Sequence, residues 1–230
     1  MNASRQEYRP KFFPSGVIET LDDVVAILKF RSGGDPDNLP NCPNCHRKMQ
    51  RHLSIAARTG VLDYIRSDID LIFCWQCSAA SEISYCGNLK EGIEFIDWFD
   101  DPTAQFPPFE PFPQSHPKRS IMFRPITDAE QEIHLMRIQG IPNREILQRS
   151  AQLRVDVNVV DEPAYQVGGV PYLYEMPPYE CPKCGQAMKV LATTANQNGT
   201  PTGWCGGEDV VMVFQICERC QVIQASHQID

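Results

Sequence analysis

Cys42-Pro43-Asn44-Cys45-His46-Arg47-Lys48-Met49 and Cys181-Pro182-Lys183-Cys184-Gly185-Gln186-Ala187-Met188 are two versions of one phrase. Each opens with Cys-Pro-x-Cys and carries a methionine four residues after the second cysteine. Each is followed by a second cysteine pair behind an apolar run: Phe73-Cys74-Trp75-Gln76-Cys77 in the first, Phe214-Gln215-Ile216-Cys217-Glu218-Arg219-Cys220 in the second. The two pairs are separated by 28 residues in one case and 32 in the other. Upstream of each lies Gly-Gly-x-Pro, at Gly33-Gly34-Asp35-Pro36 and Gly168-Gly169-Val170-Pro171. Recurrence of a whole motif order within one chain marks an internal repeat. The expected class is therefore α+β: duplicated zinc-knuckle and β-hairpin units with helices, the two halves related by pseudo-symmetry.

Two residues between cysteines let one tight turn present both sulfurs to one ion, and tetrahedral zinc in structural sites takes four such ligands. The pairing predicts one site from Cys42, Cys45, Cys74 and Cys77, and a second from Cys181, Cys184, Cys217 and Cys220. Disulfides are the competing use of ten cysteines. They have no need of four Cys-x-x-Cys pairs, and the N-terminal stretch Met1–Pro14 lacks the apolar run of a secretory leader. Four thiolates close the coordination shell, so two structural Zn²⁺ ions per chain are expected and neither offers an open position for substrate. Glycine after the second cysteine helps the backbone turn around the metal. His46 stands in that place in the first phrase, a weaker turn signal than Gly185.

The rest of the chain sorts around these motifs. Residues 1–101 read as a first zinc-binding repeat, 102–120 as a proline-rich linker and 121–230 as a second repeat. The linker contains Phe106-Pro107-Pro108-Phe109-Glu110-Pro111-Phe112-Pro113, where proline density forbids helix and sheet interior. Thr127 and Glu130 form a capping-box pattern ahead of a helix over Asp128–Gln139 that Gly140 stops, with Ala129, Ile133 and Met136 on one face. A shorter helix is expected after Pro142, over Arg144–Arg149, and another over Thr20–Phe30, with Leu21, Val24, Val25 and Leu28 on its apolar side. Ile69–Phe73 and Val210–Phe214 read as strands delivering the second cysteine pair of each site, and Ile83–Tyr85 and Gln221–Ala225 as strands leaving it.

Composition excludes some functions. Formal net charge is -8 and the hydrophobic fraction 42%, an ordinary value for a folded domain. An acidic chain is a poor sequence-independent nucleic-acid binder, because phosphate neutralisation supplies most of that affinity. No apolar run approaches the roughly 20 residues of a bilayer span, so a cytoplasmic protein without membrane contact is expected. The one basic cluster is Arg47, Lys48, Arg51 and Arg58, beside His46 and His52. It reads as a solvated face or as a contact surface for nucleic acid or an acidic partner. Cys86 reads as a buried small hydrophobe, Cys205 as a loop thiol, and Trp75 and Trp204 as rings packed on the knuckles. No Ser-His-Asp order, phosphate loop or HExxH is present, and Asp100-Asp101 beside the linker lacks the burial that would tune a catalytic carboxyl.

Val167-Gly168-Gly169-Val170-Pro171, the Cys181–Met188 phrase and the strand into Phe214 resemble the YwqG-like domain of bacteria. More distantly, the chain is similar to the programmed cell death protein 2 group of eukaryotes, where Gly-Gly-x-Pro again precedes zinc cysteines. The likeness covers about 165–225 and, more faintly, 30–80. It implies binding roles: an immunity protein of toxin neighbourhoods, or a dedicated chaperone of a ribosomal protein. Full cysteine sets in both halves and the long linker depart from the bacterial pattern. The function expected is a zinc-stabilised, non-enzymatic protein-binding module for a basic partner protein, the alternative being a zinc-ribbon nucleic-acid-binding protein.

Overall fold

The computed structural model describes residues 8–11, 28–32, 39–57, 62, 64–74, 82–98, 119–157, 165–169, 179–195 and 210–229. β-Branched and aromatic residues crowd the strand-forming stretches, as a pleated and buried surface demands. In chain order the strands are β1 (Tyr8–Lys11), β2 (Leu28–Ser32), β3 (Gln50–Ile55), β4 (Ile69–Phe73), β5 (Ile83–Asn88), β6 (Gly92–Trp98) and β7 (Arg119–Pro125). Helices α1 (Asp128–Ile138) and α2 (Asn143–Leu153) follow, and then β8 (Tyr165–Val167), β9 (Lys189–Ala195), β10 (Val210–Ile216) and β11 (Ile223–Ile229). The class is α+β. Residues 99–118, which hold all but the end of the predicted 102–120 linker, lie outside the described residues, as do Trp75, Trp204 and Cys205; the last two linker residues, Arg119 and Ser120, are corrected to strand, the start of β7.

The eleven strands among the described residues form one sheet in the order β4-β3-β2-β7-β1-β8-β9-β10-β11-β5-β6, with antiparallel pairings. The two ends of the chain interleave in it: β7 lies between β2 and β1, and β5 and β6 follow β11. β1 pairs with β7 over Tyr8–Lys11, β2 with β7 over Leu28–Ser32, and β5 with β11. The helix expected over Thr20–Phe30 is corrected at its end: Leu28–Phe30 is strand, held in a five-residue ladder to β7. Ladder pairing outweighs the local helical periodicity there; residues 20–27 lie outside the described residues.

The sheet folds back on itself. His52 on β3 reaches Thr194 on β9, Nδ1 to Oγ1 at 3.1 Å, and stacks at a tilt on Phe214 of β10. Phe73 on β4 likewise meets His227 on β11. The resulting core holds Met49, Leu53, Ile55, Leu71, Ile72, Phe73, Tyr85, Leu191, Met212, Phe214 and Ile216, all at most 1% exposed. β10 lies between β9 and β11 with Met212–Ile216 entirely buried, so its apolar run Val210–Phe214 does not alternate, and Gln215 is buried with it.

The two helices carry a small core of their own, Ile133 against Ile146 with Met136, Ile141, Leu153 and Val155 around it. The capping box is formed: Thr127 Oγ1 accepts from Glu130 N–H at 3.2 Å, and Glu130 Oε2 accepts from Thr127 N–H at 2.8 Å. Gly140 ends α1 at φ +69°. α2 runs four residues beyond the Arg149 expected from sequence, to Leu153, because Leu153 packs into the helical core and extends the apolar face.

Candidate metal centres

The two Cys-Pro-x-Cys phrases fold into the same loop. In the first, Cys42 N–H donates to Arg47 O (2.8 Å), His46 N–H to Cys42 O (2.9 Å) and Met49 N–H to Pro40 O (3.1 Å). In the second, Cys181 N–H donates to Gln186 O (2.9 Å), Gly185 N–H to Cys181 O (2.8 Å) and Met188 N–H to Tyr179 O (2.8 Å). The residue after the second cysteine must turn into the left-handed region. Gly185 does so at φ +66°, where glycine pays no Cβ penalty. His46 adopts the same conformation at φ +59°, so the weaker turn residue is forced by the loop. Each loop then hands its chain into a strand, β3 or β9, through a buried methionine, Met49 or Met188.

β4 ends at Phe73 and β10 at Ile216, so each hairpin delivers the next cysteine, Cys74 or Cys217, directly to the loop formed before it. Cys45 Sγ and Cys74 Sγ stand 3.5 Å apart; Cys184 Sγ and Cys217 Sγ stand 3.6 Å apart. Four thiolates at about 2.3 Å from one zinc ion lie about 3.8 Å from one another. The sulfurs of Cys181, Cys184, Cys217 and Cys220 all fall within 4.8 Å of each other, as do those of Cys42, Cys45 and Cys74. Cys77 lies outside the described residues. The eight described cysteines are free thiols, so both clusters have the separation and chemistry of metal ligands.

The surroundings of the centres differ. Cys42 and Cys74 belong to the main core, with Cys45 packed against it. The second centre has its own shell of Met188, Val222, Ile96 and Tyr179. Its electrostatics are spelled out by the backbone. The Gln186 amide aimed at Cys184 is the main cause that pulls that thiol down to about 7. Burial pushes Cys181 up, and the hydrogen bond with Cys184 is the main cause that pushes Cys220 up to about 12. One sulfur is thus prepared as thiolate and others hold protons that a metal ion must displace.

The other expected site residues are dispersed. Lys48 donates its ammonium to Leu39 O at 2.7 Å, and Arg51 lies 3.9 Å from Asp70 with its side chain only 16% exposed. Arg47 and His46 are exposed, Arg58 lies outside the described residues, and His52 is buried in the core. Cys86 is corrected: it is half-exposed rather than buried. It donates to Glu94 at 3.3 Å and accepts from Lys183 at 3.7 Å, and Lys183, reaching across from the second knuckle, forms an ion pair with Glu94 at 3.5 Å. Lys183 and Glu94 escaped the sequence reading because 89 residues separate them and only the β5–β11 pairing brings them together.

Among the described residues no helix is long and apolar enough to cross a membrane. Comparison of the chain with protein-family models, with curated proteins and with solved structures finds no match in any of the three.

Proposed function

We propose that this chain is a zinc-stabilised, non-enzymatic protein-binding module of the cytoplasm, holding two structural Zn²⁺ ions and acting on a basic protein, as an immunity protein or a dedicated chaperone would. The observation that carries it is the pair of cysteine clusters at the roots of two hairpins, with sulfur separations that suit one tetrahedral ion each. Cys42, Cys45, Cys74 and Cys77 would hold one ion, and Cys181, Cys184, Cys217 and Cys220 the other. Zinc in such shells supplies folding free energy and no chemistry. The cleft along α1 is lined by Asp128, Gln131, Glu132, Leu135, Met136 and Gln139 and pairs no nucleophile with a base. Net charge -8 favours a cationic partner by speeding encounter.

The module is an internal duplication, in keeping with the likeness to the YwqG-like domain. Support comes from register. The β3–β4 ladder skips His52, ten residues after Cys42, and the β9–β10 ladder skips Leu191, ten residues after Cys181. Opposite the skips stand Ile72 and Gln215, each two residues before the third cysteine of its site. Arg31 pairs Ser54 as Gln166 pairs Thr193, two residues before Gly33 and Gly168 respectively. The run β4-β3-β2-β7 mirrors β10-β9-β8-β1, so each repeat lends its first strand to the other.

The alternative, nucleic-acid binding through Arg47, Lys48, Arg51 and Arg58, is disfavoured because Lys48 and Arg51 are engaged within the chain. Affinity capture of the tagged chain from its host, with and without nuclease, decides between them. One stoichiometric protein surviving nuclease is expected. Partners lost with the nucleic acid, and binding abolished by Arg47→Glu with Arg51→Glu, would overturn the proposal.

A further inference from the structure

The sheet has two edges, and they are finished differently. At β4 the side chain of Tyr85 fills the edge: Ile72 N–H donates to its hydroxyl at 2.8 Å, and the hydroxyl donates to Asp70 O at 3.1 Å. Asp70 itself accepts from Leu89 N–H at 2.8 Å. That edge offers little to an incoming strand. At the other end β6 pairs with β5 and, among the described residues, with no other strand.

β6 is held ready. Ile93 and Phe95 pack against the main core, and Ile96, on the other face by strand alternation, packs against the second cysteine cluster. The turn into it is fixed by Asn88, whose Oδ1 accepts from Lys90 and Glu91 N–H at 2.9 and 3.0 Å. Gly87, at φ +96°, admits no side chain, since a Cβ would stand 2.1 Å from Gly92 O. Glu94, Asp97 and Trp98 remain exposed. In sequence, residues 91–101 carry five acidic side chains and no basic one. Like charge discourages two copies from pairing edge to edge, while leaving the edge open to a strand of opposite charge.

We propose that β6 is the docking edge for the basic partner, which adds an extended, lysine- or arginine-bearing segment as one more strand. The inference rests on the protein-binding reading and specifies its mode. Main-chain hydrogen bonds supply the affinity, the exposed Asp97 selects the charge while Glu94 is already paired with Lys183, and the preformed edge lowers the ordering cost.

The test uses the zinc-loaded full chain and two labelled peptides of equal charge. One alternates lysine with valine over seven residues; the other alternates lysine with proline and cannot form a ladder. The expected result is slow, at least tenfold protected amide exchange over 92–98 with the valine peptide only. Asp97→Lys should weaken its binding about tenfold in fluorescence anisotropy while zinc content stays unchanged. Protection in the free chain of the β6 amides that point away from β5, equal binding of both peptides, or protection appearing elsewhere would overturn the proposal. Capture of a host protein equally well by wild type and Asp97→Lys, with no competition from the valine peptide, would remove β6 while leaving the protein-binding reading intact.

Discussion

The β3–β4 and β9–β10 hairpins are built alike up to the third cysteine of each site, and part company after it. Up to that point they share the knuckle hydrogen bonds, the left-handed fifth residue and the skipped residue at the same distance from the first cysteine. Beyond it, β11 pairs back along β10 over seven residues, whereas β5 leaves β4 and pairs with β11. The gap beside β4 is filled by one tyrosine hydroxyl. The difference teaches what the metal loops constrain. Cysteine geometry dictates how a hairpin begins and closes, because the sulfurs must converge; it does not dictate where the chain goes afterwards. That freedom sends β5 and β6 to the far end of the sheet, where they cover the second cysteine cluster and create its open edge.

The largest effect expected from breaking the comparison is loss of a metal ligand. Structural zinc contributes about 10 kcal/mol or more of folding free energy at neutral pH. Cys217→Ser should release one ion and unfold the region around β9–β11, read by metal content and amide exchange. Cys74→Ser should do the same around β3–β4, and should disturb the fold more widely, since Cys74 lies in the main core.

Acid should act next. Metal-bound thiolates are held far below the free thiol range, so their stabilisation is present at high pH and is lost as pH falls. Cys181 and Cys220, whose thiols are pushed up without metal, must surrender protons on binding. Affinity should fall about tenfold per pH unit for each proton displaced. A chelator competition between pH 8 and 6 measures it, and an affinity independent of pH would show that something other than thiolate holds the ion.

Tyr85→Phe tests the plugged edge. It strands the buried Ile72 N–H and should cost about 1–3 kcal/mol in denaturant unfolding. Smallest is the fifth knuckle residue. His46→Gly should stabilise by about 0.5–1 kcal/mol by relieving left-handed strain, and Gly185→Ala should destabilise by about 1 kcal/mol. Open space around the Gly185 Cβ position makes the second a backbone effect alone. Equal and opposite shifts in melting temperature would show that the two loops are equivalent.

Much of this was legible in sequence because it is local. β4 runs over Ile69–Phe73 as its apolar residues imply, and the Thr127–Glu130 box announces α1. The cysteine pairs that converge at each candidate centre follow from a two-residue spacing that few other chemistries require. Strand order was not legible: β1 meets β7 across more than a hundred residues, and four-residue ladders leave no pattern in the chain. Leu28–Phe30 reads as the end of a helix because Val24, Val25 and Leu28 fit a helical face, while the ladder partner that decides Leu28–Ser32 lies at 119–123. Cys86 reads as buried because a cysteine after Tyr85 looks apolar, while its charged neighbour Lys183 arrives from the loop between Cys181 and Cys184, 97 residues away in the chain.

Metal content against thiol content tests the central claim most directly. Native mass spectrometry of the purified chain should find two zinc ions per polypeptide, with Cys74→Ser and Cys217→Ser each reducing the count to one. A metal-free chain, a single ion unaffected by one of the two substitutions, or cysteines recovered as disulfides would contradict it.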